Sequence, residues 1–240
     1  MTIWTSPISS SSFDEASPVL AERLEEVRAG VAAAAAAAGR RVEEITTIVV
    51  TKFQPASLVR ELYALGVREV GENRHQEAKA KVAELADLEL GWNFIGQLQS
   101  KKAQQVRAYA HTVHSLDRAT VIEAIGSSDG TTIECFVQLN LTDDPSRGGV
   151  RDADIEAMTE LVLSTPGLHL LGVMAVAPVG QEPRPAFVRV RDASERMRRL
   201  SPGAHYISTG MSGDYREAIL EGATHLRIGS AITGNRLTRG

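Results

Sequence analysis

The stretch Ile45–Lys52, which reads ITTIVVTK, decides the fold of this 240-residue chain. Its apolar and β-branched residues are typical of a β-strand, and it opens a long alternation of strand-like and helical segments. Lys52 ends the strand, so in a barrel its amine would point into the place where barrel active sites lie. A partly desolvated amine loses its proton more easily and can form a Schiff base with an aldehyde. On position alone, a solvated lysine whose stem covers apolar surface is the simpler interpretation.

Strand-like and helical segments alternate around this stretch. A helix signal runs from Pro18 to Arg40 and contains a stop at Gly39. The predicted strands are centred on residues 45–51, 69–72, 92–96, 112–116, 133–141, 168–176, 205–209 and 225–228. The predicted helices between them cover residues 55–65, 74–86, 100–110, 117–126, 152–164, 185–200 and 214–222.

Eight strands separated by seven helices predict a βα repeat in one parallel sheet, which can close on itself. We therefore predict an α/β fold, a single (β/α)8 TIM-type barrel over residues 17–240 with an extra N-terminal helix. The serine-rich residues 1–16 are predicted to form a flexible extension. An open doubly wound sheet is the alternative, and it is weakened because no clean GxGxxG follows the first strand.

Composition narrows the class of protein. The chain has 43% hydrophobic residues, 23% charged residues and a formal net charge of −4, which argues against a nucleic-acid surface held by phosphate contacts. No stretch approaches the 18 or more apolar residues of a membrane span, and residues 1–12 do not resemble a secretory signal. We expect a cytoplasmic protein. The single cysteine, Cys135, lies in an apolar run and is predicted to be a core residue, not a catalytic thiol.

The ends of the last two predicted strands carry the strongest site signal. Strand seven ends in Ser208-Thr209-Gly210-Met211-Ser212, and strand eight in Arg227-Ile228-Gly229-Ser230. Small hydroxyl residues and glycines before a helix expose backbone N–H groups to an anion, and these two loops form the usual phosphate cradle of such barrels. Plain turn chemistry, with Ser208 or Ser212 capping a helix, is the alternative. Two such loops opposite a strand-one lysine favour phosphate binding.

Arg227 adds a constraint on what a bound ring can do. A fixed guanidinium beside a pyridine nitrogen would disfavour protonation of that nitrogen, because like charges repel at short range. A cofactor held in this way is a poor electron sink. A structural ion pair at the barrel rim is the alternative for Arg227.

Several separated motifs, taken together, resemble the pyridoxal phosphate homeostasis protein family, the YggS-like proteins. The most specific stretch, residues 92–102 (WNFIGQLQSKK), is similar to the family signature HFIGxLQxNK. The other matching motifs are VTK at 50–52, GEN at 71–73, VHSLDR at 113–118, STGMS at 208–212 and RIGSAI at 227–232.

The resemblance implies a barrel like the N-terminal domain of alanine racemase, with pyridoxal 5′-phosphate (PLP) held on Lys52 as a Schiff base. It further implies that Asn73 lies close to the cofactor and that Arg227 faces the pyridine nitrogen. The residues that the resemblance assigns to the phosphate are Ser208, Thr209, Gly229 and Ser230.

Two positions depart from the signature. Asn93 stands where the family usually has histidine, and Lys101 where it usually has asparagine. Neither is assigned to PLP, so the departures leave the cofactor prediction in place but put in doubt other roles of that loop. Lys101 and Lys102 form a basic pair that could bind a second phosphate, although a solvated helix start explains them more simply.

The predicted function is reversible Schiff-base storage of PLP and its delivery to PLP-dependent apoenzymes. Racemase chemistry needs two bases on opposite faces of the substrate adduct, and the racemases take their tyrosine from a second domain. This chain ends soon after its eighth strand, and its tyrosines (Tyr63, Tyr109, Tyr206 and Tyr215) match no racemase base. We therefore expect little or no racemase activity, and a monomer. The alternatives are a PLP-dependent racemase or lyase, a colourless cofactor-free Schiff-base aldolase and, last, a regulatory or scaffolding protein.

Overall fold

A computed structural model describes residues 16–142, 144 and 147–234 as a closed parallel barrel. The strands follow each other around the barrel in chain order, and the first strand pairs with both the second and the eighth. They are β1 (Thr46–Val50), β2 (Glu69–Glu72), β3 (Gly91–Phe94), β4 (Thr112–Leu116), β5 (Ile133–Leu139), β6 (Leu168–Ala175), β7 (Tyr206–Ser208) and β8 (His225–Ile228). The predicted barrel is confirmed, and the open sheet is wrong.

Helices surround the barrel. They are α1 (Pro18–Ala37), α2 (Ala56–Ala64), α3 (His75–Glu84), α4 (Ala103–Arg107), α5 (Ala119–Ile125), α6 (Ile155–Ser164), α7 (Pro183–Leu200), α8 (Tyr215–Leu220) and α9 (Ser230–Thr233). Of these, α2 to α8 connect successive strands. The single helix predicted over 100–110 is a 3-10 turn, Ser100–Lys102, followed by the short α4. The one-turn helix α9 was not predicted.

The extra helix α1 packs against α8 and α9, on the side where the barrel closes. Gly30 permits this approach, since a Cβ at that position would lie 2.1 Å from the Tyr215 hydroxyl oxygen. Gly39 ends the helix with φ +66°, a conformation that glycine adopts at little cost. The helix signal and its stop are therefore confirmed. Of the predicted extension 1–16, only Ala16 lies within the described residues.

Apolar side chains pack on both faces of the barrel strands. The larger cluster packs the outward faces of the strands against the helices, and a small inner cluster of Phe136, Leu171 and Met174 fills part of the barrel. Cys135 is buried, and burial raises the pKa of its thiol, as suits a core residue. In the described part of the chain, no helix is both long and apolar enough to cross a membrane.

Candidate functional site

Lys52 lies at the carboxyl end of β1, at the barrel mouth. Val50, two residues earlier, faces the interior, because a Cβ at Gly229 would lie 3.4 Å from the Val50 Cβ and one at Gly71 3.6 Å from its Cγ2. Lys52 follows two residues after β1, beside the ends of β2 and β8, in a turn in which the Gln54 N–H donates to the Thr51 carbonyl oxygen at 3.0 Å. Lys52 is exposed, which agrees with the solvated lysine that position alone favoured and not with a partly desolvated amine.

A buried ion pair holds the strand end just before Lys52. The Lys81 amine donates to the Thr51 carbonyl oxygen at 2.7 Å and to Glu72 Oε1 at 2.6 Å. The Thr51 hydroxyl donates to the same carboxylate oxygen at 2.7 Å. Burial raises the pKa of Glu72 and outweighs the opposing effect of the Lys81 charge. Lys81 therefore fixes the backbone from which Lys52 projects, a role that the sequence did not indicate.

The turn after Lys52 has an unusual backbone. Phe53 has φ 66°, the left-handed region that a bulky residue rarely adopts. Its N–H donates to Glu77 Oε2 at 3.2 Å, and the Arg74 guanidinium lies 4.9 Å from the centre of its ring. Both partners come from the start of α3. The strained turn is thus held by the helix that follows β2.

Asn73 follows β2 beside this turn. A Cβ at Gly96 would lie 2.1 Å from the Asn73 carbonyl oxygen, so only glycine lets the chain after β3 pass so closely. The side-chain Oδ1 of Asn73 is buried and has no hydrogen-bond partner within the described ranges. An orphaned buried oxygen at a barrel mouth indicates a place for a bound group or an ordered water.

The loops after β7 and β8 lie against each other. The Arg227 N–H donates to the Gly210 carbonyl oxygen at 2.9 Å, and the Ala231 N–H donates to Ser212 Oγ at 3.2 Å. Ser212 therefore links the two loops, whereas capping of α8 was the alternative. For the backbone N–H groups of Gly229 and Ser230, the described residues supply no acceptor. The barrel thus brings together the two predicted phosphate loops.

The hydroxyl groups of Ser208 and Thr209 are engaged inside the protein. Ser208 Oγ accepts from Arg227 Nη1 at 2.7 Å, and the Thr209 hydroxyl donates to the Ala175 carbonyl oxygen at 3.1 Å. Both residues are buried. Their side chains serve internal partners here, and a phosphate contact from this strand end stays a prediction.

Arg227 is buried at 4% exposure and bonds to neutral oxygens. Nη1 also donates to the Ser208 carbonyl oxygen at 2.7 Å, and Nη2 to that of Ala175 at 2.8 Å. These partners differ from the rim ion pair considered as the alternative. Burial lowers the pKa of Arg227 to about 10, against the opposing charge of Asp214. Its Nε–H and one Nη2 hydrogen have no acceptor among the described residues, so the guanidinium retains donors for a ligand.

Asn93, His114, Ser208 and Arg227 form a chain of hydrogen bonds across the barrel, which we call the interior network. The Asn93 amide nitrogen donates to Glu69 Oε2 at 2.8 Å, which leaves Asn93 Oδ1 to face His114 Nε2 at 3.0 Å. With the amide assigned in this way, His114 Nε2 carries the proton, and Nδ1 accepts from the Ser208 hydroxyl at 2.9 Å.

His114 is fully buried and stacks on Phe136, with ring centres 4.6 Å apart. Burial first, and then the charge of Arg227, holds the pKa of His114 well below its ordinary value. The imidazole is therefore neutral, and its fixed tautomer orients Ser208 and, through it, Arg227. The sequence named His114 only as part of a strand end. The signal for its role is a polar side chain inside the fully buried strand β4.

Cavities flank the mouth. One of about 450 Å³ is lined by residues that include Asn73, Arg74, Gln97 and Lys101. Another, of about 220 Å³, lies between the ends of β5 and β6 and is bordered by Asn140. The mouth is therefore open to small molecules on both sides.

Comparison with known proteins agrees with this geometry. Residues 23–236 match the family described as alanine racemase, N-terminal domain. The pyridoxal phosphate homeostasis protein of Mycobacterium tuberculosis is 38% identical over 251 residues, covering 95% of this chain and 97% of the relative. PipY of Synechococcus elongatus, solved with PLP bound, has a TM-score of 0.79 and 32% identity, covering 90% of this chain and all of that chain.

A more distant likeness concerns the fold alone. Alanine racemase from Corynebacterium glutamicum has a TM-score of 0.69 at 13% identity, and the match covers 90% of this chain and 63% of that chain. Taken with the full-length relatives, these matches show that this chain belongs to the pyridoxal phosphate homeostasis protein family, whose barrel corresponds to the alanine racemase N-terminal domain.

Proposed function

We propose that this protein binds PLP reversibly on Lys52 and serves in PLP homeostasis, storing the cofactor and delivering it to apoenzymes. One observation carries the proposal: the barrel places an exposed lysine, a buried arginine with unused donors and two joined glycine–hydroxyl loops around one mouth. Each of these elements suits a different part of a phosphorylated pyridine aldehyde: the lysine suits the aldehyde, the arginine the ring nitrogen and the loops the phosphate.

The residues fit the cofactor by the chemistry of their donors. When bound, PLP supplies an aldehyde that condenses reversibly with an amine, together with a phosphate dianion and a ring nitrogen. Lys52 would hold the aldehyde, and the N–H groups of Gly229 and Ser230 would hold the phosphate together with the Ser208–Thr209 strand end. Arg227 would donate to the unprotonated ring nitrogen, because a guanidinium that keeps its charge disfavours a second cation there. Asn73 would lie beside the ring.

Known proteins support the same assignment. The curated relatives are named pyridoxal phosphate homeostasis proteins, and the PipY structure contains PLP. These relatives align over nearly their whole length. We extend the same role to this chain, as a cytoplasmic monomer whose barrel domain occupies residues 17–240.

Storage fits the site better than racemisation does. Each tyrosine has a contact away from Lys52. The ring of Tyr63 lies 3.9 Å from the Arg68 guanidinium, and Tyr109 stacks on His75 with ring centres 5.8 Å apart. Tyr206 packs edge-on against His225, and Tyr215 packs on α1 at Gly30. We therefore propose little or no racemase turnover.

Loading and delivery test this function directly. The full chain, mixed with PLP and freed of excess cofactor, should retain an absorbance above 400 nm and restore activity to an added PLP-dependent apoenzyme. Lys52→Ala should lose the absorbance, while Arg198→Ala, a basic residue at the end of α7 outside the proposed contacts, should keep it. Failure to take up PLP, or alanine racemisation at roughly 1–10³ s⁻¹, would contradict the proposal.

A further inference from the structure

A surface groove between α3 and α4 is lined by lysines and by no acidic side chain. We call it the α3–α4 groove. It measures about 490 Å³ and is lined by His75, Gln76, Lys79, Ala80, Ala83, Lys102 and Gln105. The mouth cavity beside Asn73 adjoins it, because His75, Gln76 and Lys102 line both, and that cavity adds Arg74 and Lys101. Neither lining includes a carboxylate.

The distribution of lysine makes this concentration unusual. The whole chain contains 21 arginines but only five lysines, at positions 52, 79, 81, 101 and 102. Three of the five, Lys79, Lys101 and Lys102, border the groove and the adjoining cavity. A compact ammonium on a flexible stem is well suited to hold a phosphate as a point charge.

The positive charge of these lysines is not compensated nearby. Among the described residues, none of Lys79, Lys101 and Lys102 has a carboxylate within 4 Å. Two acidic side chains near Lys79 along the chain are paired with other residues, Glu72 with Lys81 at 2.6 Å and Glu77 with Arg74 at 3.3 Å. Burial lowers the pKa of His75 against the opposing effect of a hydrogen bond with Gln105, and the charges of Lys102 and Lys79 lower it further. The groove therefore has a positive potential.

Hydrogen-bond donors accompany the charge. His75 and Gln76 are the first two residues of the ten-residue helix α3, and no side chain caps that helix. In the described chain, their backbone N–H groups donate to no acceptor. The start of a helix with free N–H groups, the positive end of its dipole and flanking lysines attracts a multivalent oxyanion.

We propose that the α3–α4 groove is a second anion site, which binds the phosphate group of a small phosphate monoester. Lys79 and Lys102 would contribute charge, His75 and Gln76 their backbone donors, and Lys101 would extend the field toward the barrel mouth. The site is separate from Lys52, Arg227 and the loops after β7 and β8. A concave groove of this size suits a small phosphate ester and not an extended nucleic acid.

Amide chemical shifts test the proposal without any cofactor. The full-length ¹⁵N-labelled protein is titrated with glycerol 3-phosphate, and glycerol at matched ionic strength serves as the uncharged control. We expect saturable shifts at His75 and Gln76 with the phosphate ester and none with glycerol. The double variant Lys79→Gln/Lys102→Gln should raise the Kd at these amides by about tenfold or more, since it removes two charge-assisted contacts.

Arg198→Gln/Arg199→Gln provides the matched control. It removes two positive charges from another surface cavity, at the end of α7, where Glu195 is part of the lining. This variant should leave the Kd at His75 and Gln76 unchanged. Shifts that never saturate, or an equal loss of affinity in both double variants, would overturn the groove site.

The separate signals of Gly229 and Ser230 distinguish the two phosphate sites. Saturable shifts confined to those two amides would likewise overturn the groove site while supporting the proposed cofactor loops. Shifts at His75 and Gln76 that persist in Lys52→Ala would support a groove site that does not depend on the proposed PLP lysine.

Discussion

The interior network and the α3–α4 groove differ in how many of their polar groups have partners within the protein. In the network, Asn93, His114 and Ser208 have all their functional atoms paired within the protein, and the Arg227 charge is held by carbonyl and hydroxyl oxygens. Around the groove, three lysines lack a nearby carboxylate, with Lys102 donating only to the neutral Gln105 Oε1 at 3.3 Å, and a buried nitrogen of His75 has no partner within the described ranges. Paired polar groups make a framework, whereas unpaired ones indicate where something external binds.

The buried pair Glu72–Lys81 lies between these extremes. Glu72 Oε1 accepts from both Lys81 and Thr51, but its Oε2 is buried and has no partner in the described part of the chain. The pair supports the strand end at Lys52 on one side, and the groove begins on the other. Four substitutions, in order of decreasing expected effect, sharpen the comparison.

Breaking the interior network should have the largest effect. His114→Leu leaves Asn93 Oδ1 and Ser208 Oγ without the imidazole, and we expect a loss of about 3–5 kcal/mol in the free energy of unfolding, measured in urea. The matched control is Ser115→Ala at the adjacent buried residue, whose hydroxyl has no partner among the described residues. That change should cost less than about 1 kcal/mol. Equal losses of unfolding free energy in the two variants would show that the network contributes no more to stability than an unpartnered buried hydroxyl.

Removing the charge of Lys81 should have the next largest effect, and it should depend on pH. Lys81→Met leaves the Glu72 carboxyl buried, and its pKa, already raised by burial, rises further. A carboxyl whose pKa is raised in the folded protein costs stability as the pH rises through that pKa.

The destabilisation of Lys81→Met, measured by urea unfolding, should therefore be small near pH 5 and approach about 3 kcal/mol near pH 8. The double variant Lys81→Met/Glu72→Gln should recover most of it, because the neutral amide removes the buried charge. A loss that does not change with pH would contradict this account of the pair.

His225, at the base of the barrel, provides a test that is graded with pH and whose effect within any one pH unit is smaller. Burial and the Arg227 charge lower its pKa to about 4, so between pH 6.5 and 4 the unfolded chain binds more protons than the folded one. Stability should therefore fall as the pH drops through this window, by up to about 1.4 kcal/mol per pH unit from this residue. His225→Gln should reduce the slope of unfolding free energy against pH by that amount. If the unfolding free energies of His225→Gln and the parent protein depend on pH with the same slope, His225 does not contribute to the pH dependence.

The groove lysines should have the smallest effect on stability. Lys79→Gln/Lys102→Gln removes two charges that have no carboxylate partner in the described chain, so thermal or urea unfolding should change by no more than about 0.5 kcal/mol. Together with a loss of phosphate affinity, this result would mark the groove as a binding feature. A large loss of stability would instead make these lysines part of the framework.

The sequence predicted the barrel well because each strand is a short apolar run between helical segments. The bounds of β2, β4 and β8 agree with the predicted ranges 69–72, 112–116 and 225–228. The helix α9 was missed because four residues between Gly229 and Gly234 are too short to show a helical period. The adjacency of the loops after β7 and β8 followed from barrel topology.

The polar interior could not be predicted in the same way. His114 on β4 meets Ser208 on β7, two strands that are not neighbours in the barrel, and no spacing in the sequence encodes a contact across its centre. No sequence pattern singled out Lys81 within its helix, since its burial depends on how α3 packs on the ends of β1 and β2.

The central claim is that Lys52 carries PLP, and borohydride trapping followed by peptide mass mapping tests it most directly. The protein is saturated with PLP, reduced and digested, and the pyridoxyl mass is located among the five lysines of the chain. The account predicts that the modification lies on Lys52 and is lost in Lys52→Ala. A modification that instead lies mainly on Lys79, Lys81, Lys101 or Lys102, or that persists at the site in Lys52→Ala, would contradict it.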